Sequence, residues 1–473
     1  ELLLRIPVPE PTSFVSWAKH GFFRESLIRV RIMSFIHLHV NSQYSFLDGA
    51  SSLEDLLGKA KALKMPALAI TDHDRLTGGI KFYEKARALG IKPIIGAEVT
   101  LRDGYSLVLL CKDRKGYSNL CQLLTEAHLT NKGKEATVTR DMLARFNDGL
   151  IALSGCSGGE LFVLTARDNV DSAREAADFY RETYGPDFFI ELTRYPSREG
   201  PTESHRLAGF AREQSIPVVA TNNVHYAEME DYRIKELLNA IGQNIPVSQL
   251  TGPRTVEQYL KSPEEMMKLF SDLPNAIAES EEIASRCNLE FEIGKLHFPR
   301  FYAPKEESDY SYLSRIAWEG TLRKYGRITQ GIKERLEKEL TIIRKLGFCG
   351  YFLVVWDIVR WAKERDIRCQ ARGSAVDSLV IYVLGISTVD PIAHNLLFER
   401  FMHDLRPEPP DIDIDIDRRR RNEVRDYIYQ KYGIDNVACV GTINTYMAKG
   451  AIRDAGKALQ LPPDIIEEAC KGI

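Results

Sequence analysis

Residues 410–417 read Pro-Asp-Ile-Asp-Ile-Asp-Ile-Asp. Strict alternation predicts a strand, in which residues two apart project from one face. Asp411, Asp413, Asp415 and Asp417 then share one side and three isoleucines bury the other. Two carboxylates about 4 Å apart repel by roughly 4 kcal/mol at an effective dielectric near 20. Such a row needs water, arginines or a divalent cation. Mg²⁺ prefers oxygen ligands, and paired Mg²⁺ ions serve phosphoryl and nucleotidyl transfer. The alternative is an acidic edge strand paired with Arg418 to Arg421.

A second set lies in the first half of the chain. His37 and His39 sit two apart in a strand-like run, and Asp72, His73 and Asp74 follow another. Glu98 lies within a third, Cys156 follows a fourth, and Asn223 with His225 follow the last. Each alone is ordinarily a hydrogen-bonded core or surface residue. Together, at successive strand ends, they point to a metal site, and the mixed N/O/S set suits Zn²⁺ or Mn²⁺. A third feature is Ala371-Arg372-Gly373-Ser374-Ala375 before a helix expected at about 376–384. Gly-Ser at a helix start offers N–H groups to a phosphate, or else Ser374 is only a cap. Arg400 suits a triphosphate or, equally, a surface ion pair.

The elements that must position these residues alternate. Candidate strands are 35–40, 67–71, 93–100, 105–111, 150–154, 187–193 and 217–221. Helical periods fill 52–64, 78–89, 116–127, 170–184 and 201–215, which predicts an α/β barrel of about seven parallel strands with chemistry at their C-terminal ends. Residues 230–300 read as a helical connection with segments at 263–270 and 274–288, followed by a linker at 299–309. Helices are expected at 311–325, 330–346 and 352–361.

The 473 residues suffice for about two to four domains. With 63 basic and 66 acidic residues there is no global basic field, although one cleft can still concentrate charge. The eight cysteines include no C-x-x-C pair, so neither a zinc ribbon nor a disulfide framework is indicated, and a reducing cytoplasm fits. No apolar run is long enough to span a membrane. Residues 1–32 begin with Glu1 and carry three prolines within Pro7 to Pro11. They are expected to be an upstream, poorly ordered segment.

In order along the chain, H-L-H-V-N-S-Q-Y-S-F-L-D-G-A, T-D-H-D, G-A-E, G-L-I-A-L-S-G-C and T-N-N-V-H-Y resemble the polymerase-and-histidinol-phosphatase (PHP) domain. Farther on, G-F-C-G-Y-F-L-V-V, R-G-S-A-V-D-S-L-V, L-G-I-S-T-V-D-P-I, L-L-F-E-R-F and P-D-I-D-I-D-I are similar to the family C DNA polymerase palm. G-T-I-N-T-Y-M-A-K-G-A-I-R-D-A-G-K-A-L continues that likeness. The chain resembles the bacterial DNA polymerase III alpha family from about residue 34 onward, and C-Q-A-R-G-S-A looks more like its error-prone branch.

The resemblance implies a PHP-type (β/α)7-like barrel over 33–280, a partial α+β palm over 281–440 and the start of a thumb over 441–473. It implies PHP metal ligands at His37, His39, Asp48, His73, Glu98, Cys156 and His225. Ser106 and Asn223 stand where the family places histidine and aspartate; serine hydroxyl and neutral amide are poorer ligands, which weakens metal-dependent 3′-5′ exonuclease activity. It also implies Asp411 and Asp413 as catalytic Mg²⁺ ligands, with Gly373, Ser374 and Arg400 binding the incoming nucleotide. Primer-template DNA and dNTPs are the implied substrates, with holoenzyme subunits or a sliding clamp as partners through other regions. The family's third aspartate and its lysine find no match in the 56 residues after Asp417. The chain is therefore expected to be an N-terminal portion, inactive in polymerisation alone. A phosphoesterase or exonuclease acting through the PHP domain, and a non-catalytic structural role, are the alternatives.

Overall fold

The computed structural model describes residues 34–130, 136–196, 203–251, 255–295, 297–298, 300–304, 307–403 and 409–473. The expectation for residues 1–32 lies outside them. The backbone divides into two compact units, Glu1–Phe291 with Tyr446–Ile473, and Glu292–Thr445. Residues 446–473, read from the sequence as the start of a thumb, thus cluster with the first unit.

Six strands build the first unit's sheet: β1 (Ala67–Ile70), β2 (Lys92–Thr100), β3 (Ser106–Cys111), β4 (Leu150–Leu153), β5 (Phe188–Thr193) and β6 (Val218–Thr221). They neighbour one another in sequence order. β1 pairs with β2, β4 with β5, and β5 with β6 in parallel. The expected all-parallel arrangement fails at β3, which runs antiparallel to both β2 and β4. The cause is local. Leu101 N donates to Tyr105 O at 2.7 Å, and Gly104 turns at φ +85°. A link that short makes a hairpin, because a parallel crossover needs a dozen or so residues.

The predicted strand 35–40 is extended chain with a single bridge, Val40 to Val224. On one side Ala69 N donates to His37 O and Thr71 N to Val40 O. On the other, Val224 N donates to His39 O at 3.0 Å and Asn41 N to Val224 O at 2.7 Å. This segment joins the first strand's edge to the chain leaving the last, and so closes the curled sheet.

Alternation along each strand sorts the core. Ala67, Ala69, Ile94, Val108, Leu110, Ile151, Leu153, Phe189 and Val219 form one cluster with Ile283, Ala284 and Cys287 from the end of the helix Pro274–Arg286. The intervening residues, such as Leu68, Ile70, Ile95, Leu109, Ala152 and Ile190, pack outward against the helices at Leu53–Ala62, Gly79–Ala88, Arg114–Thr130 and Val170–Tyr184. Glu98, Ser106 and Glu191 share the parity of the inner set. They carry it toward one end, where apolar residues give way to polar ones.

In the second unit, helices Asp309–Tyr325, Gln330–Lys345 and Cys349–Lys363 bury Leu313, Leu336, Ile343, Phe352 and Leu353. Strand β7 (Cys369–Arg372), absent from the sequence expectations, pairs antiparallel with β8 (Asp413–Ile416). A further helix, Arg421–Tyr432, is pinned by one carboxylate. Asp357, only 1% exposed, accepts from Tyr427 Oη (2.6 Å), Lys431 Nζ (2.6 Å), Tyr432 Oη (3.0 Å) and Arg360 Nη2 (3.1 Å). Burial opposes its charge, but these donors outweigh burial and hold its pKa below the ordinary value.

Asp357→Asn is expected to lower stability at neutral pH by about 2 kcal/mol, read from urea midpoints. The folded-state pKa lies below the unfolded value of about 3.9. The wild-type advantage is therefore present above that value and is lost as pH falls through the folded one. A gap between the two proteins that widens on acidification would refute the assignment.

Candidate functional site

Two polar constellations emerge, one in each unit. In the first, the ends of β1, β2, β4 and β6 carry most of the predicted ligands. His39, fully buried, lies with Nδ1 2.7 Å from Glu191 Oε1 and Nε2 3.2 Å from Glu98 Oε2. Burial opposes charge on this ring, yet the two carboxylates outweigh it and raise its pKa well above the ordinary histidine value. Glu98, whose burial also opposes charge, is in turn held well below the usual carboxylate range by His39 and His73. His73 places Nδ1 3.7 Å from Glu98 and Nε2 3.2 Å from Asp74. Chiefly through Glu98, its pKa rises to about 9.

His37 is different. Its Nε2 meets the carbonyl of Lys261 at 2.9 Å, its Nδ1 has no partner, and burial lowers its pKa to about 4. Asp48 lies 2.9 Å from His225 Nδ1 and 3.6 Å from Lys235 Nζ. Asp48 is half-buried, and the facing His225, then Lys235, hold its carboxyl well below the ordinary range. Cys156 is buried, its thiol pKa raised by burial, and it accepts from Asn223 Nδ2 at 2.9 Å. Its place depends on Gly155, which has φ +78° and where a Cβ would collide with the carbonyl oxygen of Ser106. The Ser106 hydroxyl is buried without a partner. Asp72 instead serves the loop after His39, accepting from Ser42 N (2.7 Å), Ser42 Oγ (3.0 Å) and Ser45 Oγ (2.9 Å).

The predicted ligands therefore share one rim, but among the described residues no three His, Cys, Asp or Glu side chains are set to hold a metal ion. Protons and N–H donors hold the rim together. Even so, the donor chemistry fits a cation. His37 Nδ1 and Glu191 Oε2 are buried with no hydrogen-bond partner, a cost that a bound ion or water would relieve. Sequence reasoning missed Glu191 and Lys235. The signal for Glu191 was a lone acid inside the apolar run Phe188-Phe189-Ile190-Glu191-Leu192.

In the second unit the register Arg372↔Asp413 sets the geometry. Ile412 is buried and Ile414 packs against the core, while Asp411, Asp413 and Asp415 stand exposed, as the alternation requires. Gly373 follows the residue opposite Asp413, so the Gly373–Ser374 turn leaves β7 at the ribbon end where Asp411 enters β8. Gly373 has φ +67° with open space around its Cα. The backbone N–H of Ile412 donates to Tyr351 Oη at 3.3 Å. Burial, and then the charges of Asp411 and Asp413, push that phenol's pKa up. Tyr351 fixes the strand between the two aspartates, a role not apparent in Gly350-Tyr351-Phe352.

Two expectations need correction. The carboxylate row is met by Arg372, whose Nε lies 3.6 Å from Asp413 and 3.5 Å from Asp415, rather than by Arg418 to Arg421. Arg420 pairs with Glu423, and Asp417 accepts from the backbone of Arg419 at 2.9 Å. Nor does Gly-Ser open an α-helix. It begins a 3-10 turn, Gly373–Asp377, and the helix Leu379–Val383 follows. The N–H groups of Leu379 and Val380 are already taken by buried Glu339, at 3.0 and 3.1 Å, with Arg335 Nε 2.6 Å from the same carboxylate. Any phosphate would meet the turn itself. Arg400, largely exposed, lies 3.6 Å from buried Asp377.

Both parts of the chain match known families. Residues 37–195 match the PHP domain family, and residues 311–473 match the family described as the bacterial DNA polymerase III alpha NTPase domain. The chain is 44% identical over 450 residues to an error-prone DNA polymerase of Symbiobacterium thermophilum, covering 90% of this chain and 41% of that protein. It is 37% identical over 449 residues to a DNA polymerase III subunit alpha of Borreliella burgdorferi, covering 90% and 39%. For the corresponding subunit of Treponema pallidum the values are 39% over 449 residues, covering 91% and 38%. The chain thus spans about two fifths of the length of these relatives. With a PHP domain followed by polymerase sequence, in the same order that its motifs run, the chain belongs to the bacterial DNA polymerase III alpha family.

Proposed function

We propose that this chain supplies the PHP domain and part of the nucleotidyl-transfer site of a DNA-directed DNA polymerase that adds dNTPs to a primer 3′-OH on primer-template DNA. The observation that carries this is the Arg372↔Asp413 register, which brings the Gly373–Ser374 turn to the end of the ribbon where Asp411 and Asp413 emerge. Exposed carboxylates held only loosely by Arg372 are suited to Mg²⁺, whose hard ligand preference they meet. Bound Mg²⁺ supplies activation of the primer hydroxyl and charge neutralisation at the leaving pyrophosphate. Asp411 and Asp413 hold it, the glycine turn admits the triphosphate closely, and Arg400 presents a guanidinium to its oxygens. Tyr351 keeps the backbone between the two aspartates in place. Asp415 continues the facing row and shares Arg372 with Asp413. Identity of 44% to an error-prone polymerase supports that branch of the family. Other holoenzyme subunits or a sliding clamp are the proposed partners of the wider protein. Among the described residues no helix is long and apolar enough to cross a membrane, in keeping with the proposed cytoplasmic setting.

The PHP rim supports a second reading, a Zn²⁺ or Mn²⁺ site built on His37, His39, His73, Glu98 and Glu191, with Asp48, Cys156 and His225 beside it. The unpartnered buried atoms favour this reading, whereas Ser106 and Asn223 weaken phosphoester hydrolysis there. His39 and His73 give up protons when they turn to a metal, so uptake strengthens as pH rises.

In a protein joining this chain to the remaining length found in its relatives, Asp413→Asn is expected to abolish primer extension while changing stability by less than about 0.5 kcal/mol, since the side chain is half exposed. Retained extension would remove Asp413 from the site. For the rim, Zn²⁺ or Mn²⁺ at a hundredfold excess over Kd is expected to stabilise the chain by about 2.7 kcal/mol. That gain should vanish with chelator and in Glu98→Gln. A thermal midpoint indifferent to both metals would count against a metal site.

A further inference from the structure

Lys235 projects from the helix Tyr232–Gln243 into the PHP rim. Its side chain is 15% exposed, with Nζ 3.6 Å from Asp48 Oδ1 and 2.8 Å from Gln258 Oε1. One turn along the same helix is Asn239. With its amide nitrogen facing the available acceptors, it donates to Leu47 O at 2.9 Å and to Asp48 Oδ1 at 3.2 Å. Residues four apart on a helix share a face, so this helix delivers two N–H donors to one carboxylate.

Across the rim Asn223 adds a third. Its Nδ2 donates to Cys156 Sγ at 2.9 Å, and its Oδ1 accepts from Asn41 at 3.4 Å. Metal ligation requires lone pairs aimed at the ion, and ammonium and amide N–H groups offer none. The rim therefore has two unlike halves. The half built on His37, His39, His73, Glu98 and Glu191 keeps buried lone pairs free at His37 Nδ1 and Glu191 Oε2. The half built on Asp48, Cys156, Asn223 and His225 is furnished with hydrogen-bond donors and a resident positive charge. A buried ammonium is costly unless a carboxylate compensates it, and Asp48, a predicted ligand, is the group that does so.

We infer that Lys235 is a built-in substitute for one metal ion: its ammonium balances Asp48, with Asn239 in support, and confines metal binding to the opposite half of the rim. The inference rests on reading the rim as a metal site. It assigns Lys235 a charge-balancing role that fixes metal stoichiometry, so the readout is metal content and stability, with no need for activity.

The test loads the chain with Zn²⁺ or Mn²⁺, desalts it, and measures metal per chain and the thermal midpoint for the unmodified protein and for Lys235→Met. That substitution keeps the apolar stem and removes the charge. Lys235→Met is expected to hold one more equivalent of metal than the unmodified chain, or to bind metal about tenfold more tightly. Its midpoint should fall in chelator and recover in metal. Lys235→Arg, which keeps the charge, should show the unmodified stoichiometry. Equal metal content in folded unmodified and Lys235→Met protein would overturn the inference and leave the metal-site reading standing; metal in neither would overturn both. If Lys235→Met does not fold without metal, the double variant Asp48→Asn with Lys235→Met removes both charges. It should fold and gain no metal, and a gain there would show that Asp48 is not what Lys235 holds.

Discussion

Crowded carboxylates must be neutralised, and the way each unit does so determines what its site can become. In the first unit Glu98 and Glu191 are buried, where an uncompensated charge costs several kcal/mol, and Asp48 is half-buried. Compensation is internal: His39 bridges Glu98 and Glu191, His73 supports Glu98, and Lys235 faces Asp48. In the second unit Asp411, Asp413 and Asp415 are left in water, where repulsion is screened, and among the described residues Arg372 is the cation that meets the row. Exposure leaves the second row open to the cation and triphosphate proposed above.

Period-two alternation made the second site readable. In Asp411 to Asp417 every polar residue is an acid and every apolar one an isoleucine, so which side chains face solvent follows from the pleat alone. The partner strand was not readable. Cys369-Gln370-Ala371-Arg372 alternates as well, but over four residues with only small apolar side chains, a run too short and weak to signal a strand without its pairing to β8. Arg372 was visible as a residue but not as the counter-ion, since only register places it opposite Asp413. The same limit applies to Glu339. In a helical pattern it looks like one more solvent-facing acid, yet it is fully buried and caps the helix Leu379–Val383 from 40 residues away.

In the first unit the strand sequences identified most of the rim because chemistry gathers where strands end. Six of seven predicted segments are strands, and the seventh, 35–40, is extended chain that closes the sheet. The antiparallel course of β3 escaped prediction because hydrophobic runs carry no direction; only the shortness of the link through Gly104 does. Glu191 escaped for the opposite reason. A single acid in an apolar strand looks like an exception to burial, whereas here it is the residue that fixes His39.

Glycine positions show how closely the two sites are tied to backbone rather than side-chain identity. At Gly155 both a positive φ and the carbonyl of Ser106 exclude a Cβ, so the turn that presents Cys156 has one workable residue. At Gly373 the φ is also positive but the space beyond is open. A side chain there would cost about 1–2 kcal/mol of left-handed backbone strain without a clash. A glycine packed tight from outside serves the fold. Gly326, Gly347 and Gly385 also combine positive φ with open space, so what sets Gly373 apart is its register position, one residue beyond the partner of Asp413, and it is position rather than backbone freedom that recommends this turn to the proposed nucleotide.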